Sequence, residues 1–191
     1  MLKVLKSTCK HVVEEMRTVP LAHWNESVFR FFYVRQLVQL APSITCHTEW
    51  KRIDLHIQSS PAVFVLEFKF FHARLLIGLS GRRLRWKGRP GKKNFSEFTA
   101  SIEKLHKCCS AGWQGWQDGA LPGPARGFLV LAYADPVPAS PGKSFGDFYD
   151  QLPLGPDGHP IEGVKRVEAI LPRAPVDSGI ALSCKLIEVE V

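Results

Sequence analysis

Two charges interrupt a stretch that is otherwise apolar. Residues 62–71, AVFVLEFKFF, are built from Phe, Val, Leu and Ala apart from Glu67 and Lys69. Two positions apart on an extended strand, these side chains share one face. Burying both charges without partners is costly, so they require counter-charges or a cleft. Upstream, residues 44–58 (ITCHTEWKRIDLHIQ) alternate Ile53, Leu55 and Ile57 against Arg52, Asp54 and His56, a strand pattern that Ser59-Ser60-Pro61 breaks. A two-residue turn at Ser60-Pro61 predicts Asp54 directly opposite Glu67, whereas a slip of one residue would turn Asp54 to the other face.

Two carboxylates and an ammonium so placed suit the hydrolysis of phosphodiesters. Paired carboxylates bind Mg²⁺, with Mn²⁺ as a substitute, through oxygen ligands. Such an ion polarises a phosphoryl oxygen, lowers the pKa of bound water and stabilises the leaving oxygen. A neighbouring lysine orients or deprotonates the attacking water and offsets transition-state charge. A cross-strand ion pair between Lys69 and either carboxylate is the alternative that residue types leave open.

The elements that must position this trio are read from periodicity. Residues 2–17 carry a weak helical pattern in Leu2, Leu5, Val12, Val13 and Met16. HWNESVFRFFYVRQLVQL predicts a helix capped by Asn25, with Glu26 in its first turn and Val28, Phe31, Phe32, Arg35 and Val38 at helical spacing. The segment around Glu67 is apolar on both faces, as a central strand is. FSEFTASIEKLHKCC predicts a helix with Phe95, Phe98, Ile102, Leu105 and Cys109 on one stripe. A Gly/Trp/Pro-rich loop (110–126) leads to the buried strand RGFLVLAYAD. Ten of the 14 prolines lie between Pro122 and Pro175, so the remainder of the chain reads as loop, with a short helix in SFGDFYDQL and a terminal strand in ALSCKLIEVEV. The order α–β–β, basic loop, α–β, loop, β indicates an α/β or α+β sandwich in a single domain, 1–191.

The segment Asp54-(x12)-Glu67-Phe68-Lys69, behind a helix and inside a hairpin, resembles the PD-(D/E)xK nuclease superfamily over about residues 20–135. The resemblance implies a restriction-endonuclease-like core, a central mixed sheet flanked by helices in α-β-β-β-α-β order, with 136–191 as a Pro/Gly-rich extension ending in a strand. It implies a Mg²⁺-dependent endonuclease acting on DNA. Asp54 and Glu67 are its expected metal ligands, helped by the carbonyl of Phe68, and Lys69 its catalytic lysine. Glu26 is expected as a further catalytic and metal-binding acid. Ile53 stands where the motif's name has proline. Lys104 or Lys107 would supply a supporting polar group, Glu49 is either another site acid or a solvated residue, and Arg52 bridges Glu49 or contacts phosphate. The alternative is a catalytically inactive module of this fold that binds nucleic acid or assembles with protein.

Charge agrees with a polyanionic substrate. The chain carries 25 Lys+Arg against 18 Asp+Glu, a net +7. Arg82, Arg83, Arg85, Trp86, Lys87, Arg89, Lys92 and Lys93 form a basic run with an interleaved aromatic, expected to track a nucleic-acid backbone. Five cysteines without a C-x-x-C pair signal neither disulfides nor a zinc knuckle, and seven histidines show no zinc-hydrolase spacing. Of these only His56 shares a face with Asp54. No apolar run reaches membrane-spanning length and the first residues lack a secretory core, so a soluble, cytoplasmic protein is expected. Homodimerisation, or a partner subunit supplying specificity, is left open.

Overall fold

Asn25 begins the helix that matters most to the site. Its side chain accepts a hydrogen bond from the Val28 amide at 3.0 Å, capping helix α2 (Glu26–Leu40) as predicted. In the computed structural model, which describes residues 1–50, 53–59, 61–72, 74–77, 83–87, 91–110, 125–138, 144–177 and 179–190, α2 follows helix α1 (Leu2–Glu15) and a single 3-10 turn at Leu21–His23. Strands β1 (Thr45–Trp50), β2 (Ile53–Ser59) and β3 (Ala62–His72) come next. They precede a separate two-stranded sheet of β4 (Arg74–Ile77) and β5 (Arg83–Lys87). Helix α3 (Lys92–Cys109), strand β6 (Ala125–Pro136), the one-turn helix α4 (Gly146–Tyr149) and strands β7 (Val164–Asp177) and β8 (Ile180–Val189) complete the described elements.

The main sheet has six strands in the order β1-β2-β3-β6-β8-β7. Only β3 and β6 run parallel, joined through α3, as a parallel pair requires a crossover. Alternate side chains divide the core between the two faces. Leu66, Phe68, Phe70, Val130 and Ala132 pack against α1 and α2, whereas Val65, Phe71, Leu129, Leu131 and Tyr133 pack against α3 and α4. The molecule is thus a mixed α/β structure with a six-stranded mixed sheet flanked by helices. No described helix is long and apolar enough to cross a membrane.

Four sequence expectations are corrected. Residues 44–58 form two antiparallel strands rather than one, because the chain reverses between Trp50 and Ile53. Helix α2 buries Phe29, Tyr33, Gln36 and Leu37, and leaves Phe31 and Val38 of the predicted stripe exposed. It is apolar around most of its circumference, so periodicity does not choose a face. On α3, Cys108 rather than Cys109 is buried. The region read as loop contains β7, an edge strand that tolerates Pro172 and Pro175 because a ladder runs on one side only. Strands β8 and β7 therefore supply two of the six strands from within residues 136–191.

Candidate active site

The predicted hairpin register is the observed one. Ser59 pairs with Ala62 and Leu55 with Leu66, which carries Asp54 to Glu67. There the regular ladder ends, and the two carboxylates end it. The Asp54 amide donates to Glu67 Oε1 at 3.2 Å, and the Phe68 amide donates to Asp54 Oδ2 at 2.8 Å. Each carboxylate thus accepts one backbone amide of the opposite strand. This fixes both carboxylates to the main chain of the opposite strand. Ile53 turns with the end of β2 and packs in the α3-side core, apart from Leu55 and Ile57.

Helix α2 closes the site from one side. Trp24, fully packed and stacked on Phe32 at 5.5 Å, accepts a hydrogen bond at its carbonyl from His72 Nε2 at 3.1 Å. That bond ties the residues before α2 to the last residue of β3. Glu26 consequently meets Lys69, Oε2 to Nζ at 3.1 Å, and the same ammonium donates to the Phe68 carbonyl at 3.1 Å. One turn further along α2, Arg30 donates through Nη1 to Asp54 Oδ1 at 2.8 Å and through Nη2 bridges to Glu49. From α3, Lys104 reaches Glu67 Oε1 at 2.5 Å.

Asp54, Glu67, Lys69, Glu26 and Lys104 are therefore gathered at one point. Glu26, expected among the metal ligands, pairs here with Lys69, and among the described residues no group of three His, Cys, Asp or Glu stands ready for a metal ion. Lys107 is exposed and lines a separate cleft of about 530 Å³ with Glu103, His106 and Glu162. His56 is buried one strand step away, its ring 6.0 Å from that of His47, with its pKa lowered first by burial and then by His47. Arg52, Arg82 and Arg89 lie outside the described residues, as do the side chains of Arg83, Arg85, Trp86 and Lys87. Lys92 and Lys93 occupy the first turn of α3, where no acidic residue stands. Arg30 escaped the sequence reading. Its signal was the four-residue spacing from Glu26, which puts both on one side of a helix.

Burial raises the pKa of Glu67 and the charge of Asp54 raises it further, against the hydrogen bond from Lys104. Burial also raises that of Glu26, opposed by Lys69. A carboxyl whose pKa is higher folded than unfolded binds its proton more readily in the folded state. Its contribution to stability is present at acid pH and lost as pH rises through the folded value. Glu67→Gln is accordingly expected to melt higher than the wild type at pH 7, by roughly 2–4 °C for each kcal/mol relieved, and the advantage shrinks toward pH 4. Lys104, about one-third exposed, rehydrates when its partner is neutral. Melting curves across this range check the sign.

The donor set fits a hard divalent cation. Asp54, Glu67 and the Phe68 carbonyl offer oxygen only, and the charge of Asp54 opposes the ionisation of Glu67, a repulsion that a cation relieves. No family model, curated protein or solved structure matches the chain.

Proposed function

We propose that this chain is a Mg²⁺-dependent nuclease of the PD-(D/E)xK superfamily, with a restriction-endonuclease-like core, that hydrolyses phosphodiester bonds of DNA. The observation that carries the reading is the meeting of Asp54, Glu67 and Lys69 where β2 leaves β3, held by Arg30 and Glu26 of α2 and by Lys104 of α3. Asp54 and Glu67, with the Phe68 carbonyl, would hold the ion, which when bound supplies Lewis-acid polarisation of the phosphate and a more acidic water. Lys69 holds its ammonium on the Phe68 carbonyl, where Glu26 keeps it, and would orient or deprotonate the attacking water. Lys104 steadies Glu67 and offsets charge gathered on phosphate. Lys92 and Lys93, with the basic residues before them, would follow the DNA backbone.

Metal dependence gives the first test. Mn²⁺ at a hundred times its dissociation constant should raise the melting temperature by roughly 5–10 °C, the effect of about 2.7 kcal/mol in a domain of this size. Asp54→Asn should remove the rise, together with Mg²⁺-dependent cleavage of DNA. An unchanged rise in that variant would refute the ligand assignment.

The second reading, a nuclease-fold module for nucleic-acid binding or assembly without turnover, has one observation in its favour. Every carboxylate of the constellation already has a cation: Glu26 has Lys69, Asp54 has Arg30, and Glu67 has Lys104. Such a neutral network holds a fold together without a metal. It predicts that the melting temperature is indifferent to Mn²⁺ and that DNA is bound but left intact.

A further inference from the structure

The four oxygens of the two central carboxylates are unequally engaged. Asp54 Oδ2 is committed to the Phe68 amide, so Oδ1 is the oxygen through which Asp54 meets an incoming cation. Arg30 Nη1 sits on that oxygen at 2.8 Å. A guanidinium and a divalent cation on one carboxylate oxygen repel each other strongly at such range. The guanidinium also has a second seat. Its Nη2 bridges to Glu49, whose side chain is 66% exposed against 12% for Arg30 and for Asp54.

Glu49 reaches Arg30 through an unusual backbone. Its φ of +52° lies in the left-handed region, which a non-glycine residue in a strand seldom adopts. The conformation lies one residue before β1 ends and the chain reverses toward β2. Glu26, one helical turn before Arg30, is taken by Lys69, so the guanidinium's planar fork serves two acceptors, Asp54 and Glu49.

We propose that Arg30 is a positioning residue of this site, holding Asp54 ready until a divalent cation binds and then moving wholly onto Glu49. The inference rests on the metal-dependent reading above. Arg30 keeps the paired carboxylates from collapsing onto other donors, and it yields to the ion because Glu49 accepts it at the solvent edge.

The test is a Mn²⁺ titration followed by melting temperature, on the full chain and on Arg30→Gln, Arg30→Lys and Glu49→Gln, each first checked for folding by far-UV circular dichroism. Arg30→Gln should lower the Mn²⁺ concentration at half-effect about tenfold, the worth of one charge-assisted hydrogen bond. Glu49→Gln, which leaves Arg30 no second seat, should raise it several-fold, and Arg30→Lys should fall between the wild type and Arg30→Gln. A purely structural arginine moves the metal-free melting temperature but not these midpoints. If the wild type responds to Mn²⁺ and the midpoints of Arg30→Gln and Glu49→Gln equal its own, the role of Arg30 is overturned and the metal site stands. A response in Arg30→Gln without one in the wild type overturns the move onto Glu49, because Arg30 then blocks the ion instead of yielding to it. Silence in every protein overturns both readings. Should Arg30→Gln fail to fold, opposite shifts in Arg30→Lys and Glu49→Gln decide the matter.

Discussion

Lys69→Met is expected, if the protein is the proposed nuclease, to abolish DNA cleavage, lowering kcat by at least about 10³-fold, while leaving the protein folded and responsive to Mn²⁺. The substitution keeps the length and the apolar stem of the side chain and removes only the ammonium. That ammonium contacts two groups, the Glu26 carboxylate, about one-third exposed, and the Phe68 carbonyl. Glu26 sits at the N-terminal end of α2, where the helix dipole and solvent accommodate its charge, so the unpaired acid is tolerated. Lys69 is not a metal ligand, and removing a cation beside the carboxylates does not weaken their hold on another. Loss should therefore appear in kcat with little change in KM, and the Mn²⁺ midpoint should not rise. Turnover within tenfold of the wild type, measured on a DNA substrate at saturating Mg²⁺, would remove Lys69 from the chemistry.

Phe68→Ala is expected to be the most damaging core change near the site, costing about 3–5 kcal/mol. Phe68 points away from Glu67 and Lys69, into the layer beneath α2, and is 1% exposed. Its ring lies 5.4 Å from that of Tyr33, in an edge contact, and 6.4 Å from that of Phe29. These two aromatics are the seat of α2, the helix that carries Glu26 and Arg30. Emptying the space beneath them both destabilises the fold and loosens the two residues that hold Lys69 and Asp54. Urea denaturation should show the midpoint fall, and cleavage should drop even in buffer where the variant remains folded. Phe68→Leu fills most of the volume and should recover the greater part of both. A stable but inactive Phe68→Ala would place the defect elsewhere.

The central hairpin was legible because its physics is local. A period of two, a Ser-Pro turn and two misplaced charges suffice to bring Asp54 to Glu67, and the turn sets the register. The Asn25 cap was legible for the same reason. The face of α2 was not, since Phe29, Phe31, Phe32 and Tyr33 offer apolar surface in several directions and only tertiary packing selects Phe29 and Tyr33. Arg30 was hidden by that ambiguity, lying between two phenylalanines in a stretch read for its apolar stripe. Lys104 and Lys107 looked equivalent from their spacing. The buried line through Ser101, Leu105 and Cys108 turns Lys104 toward the sheet and leaves Lys107 in solvent. The reversal between β1 and β2 was concealed because TCHTEW and IDLHIQ join without a glycine or proline between them.

Strand β7 has a meaning beyond the site. It forms one margin of the main sheet, paired with β8 alone over Val164–Asp177, and its register breaks repeatedly along that length. A fourteen-residue margin with an open row of amides is a template on which other chains can polymerise. Pro172 and Pro175 carry no backbone donor, and the register breaks bend the strand away from a straight edge. The residues that disguise the strand as loop are thus the kind that make a sheet margin a poorer template for a second chain.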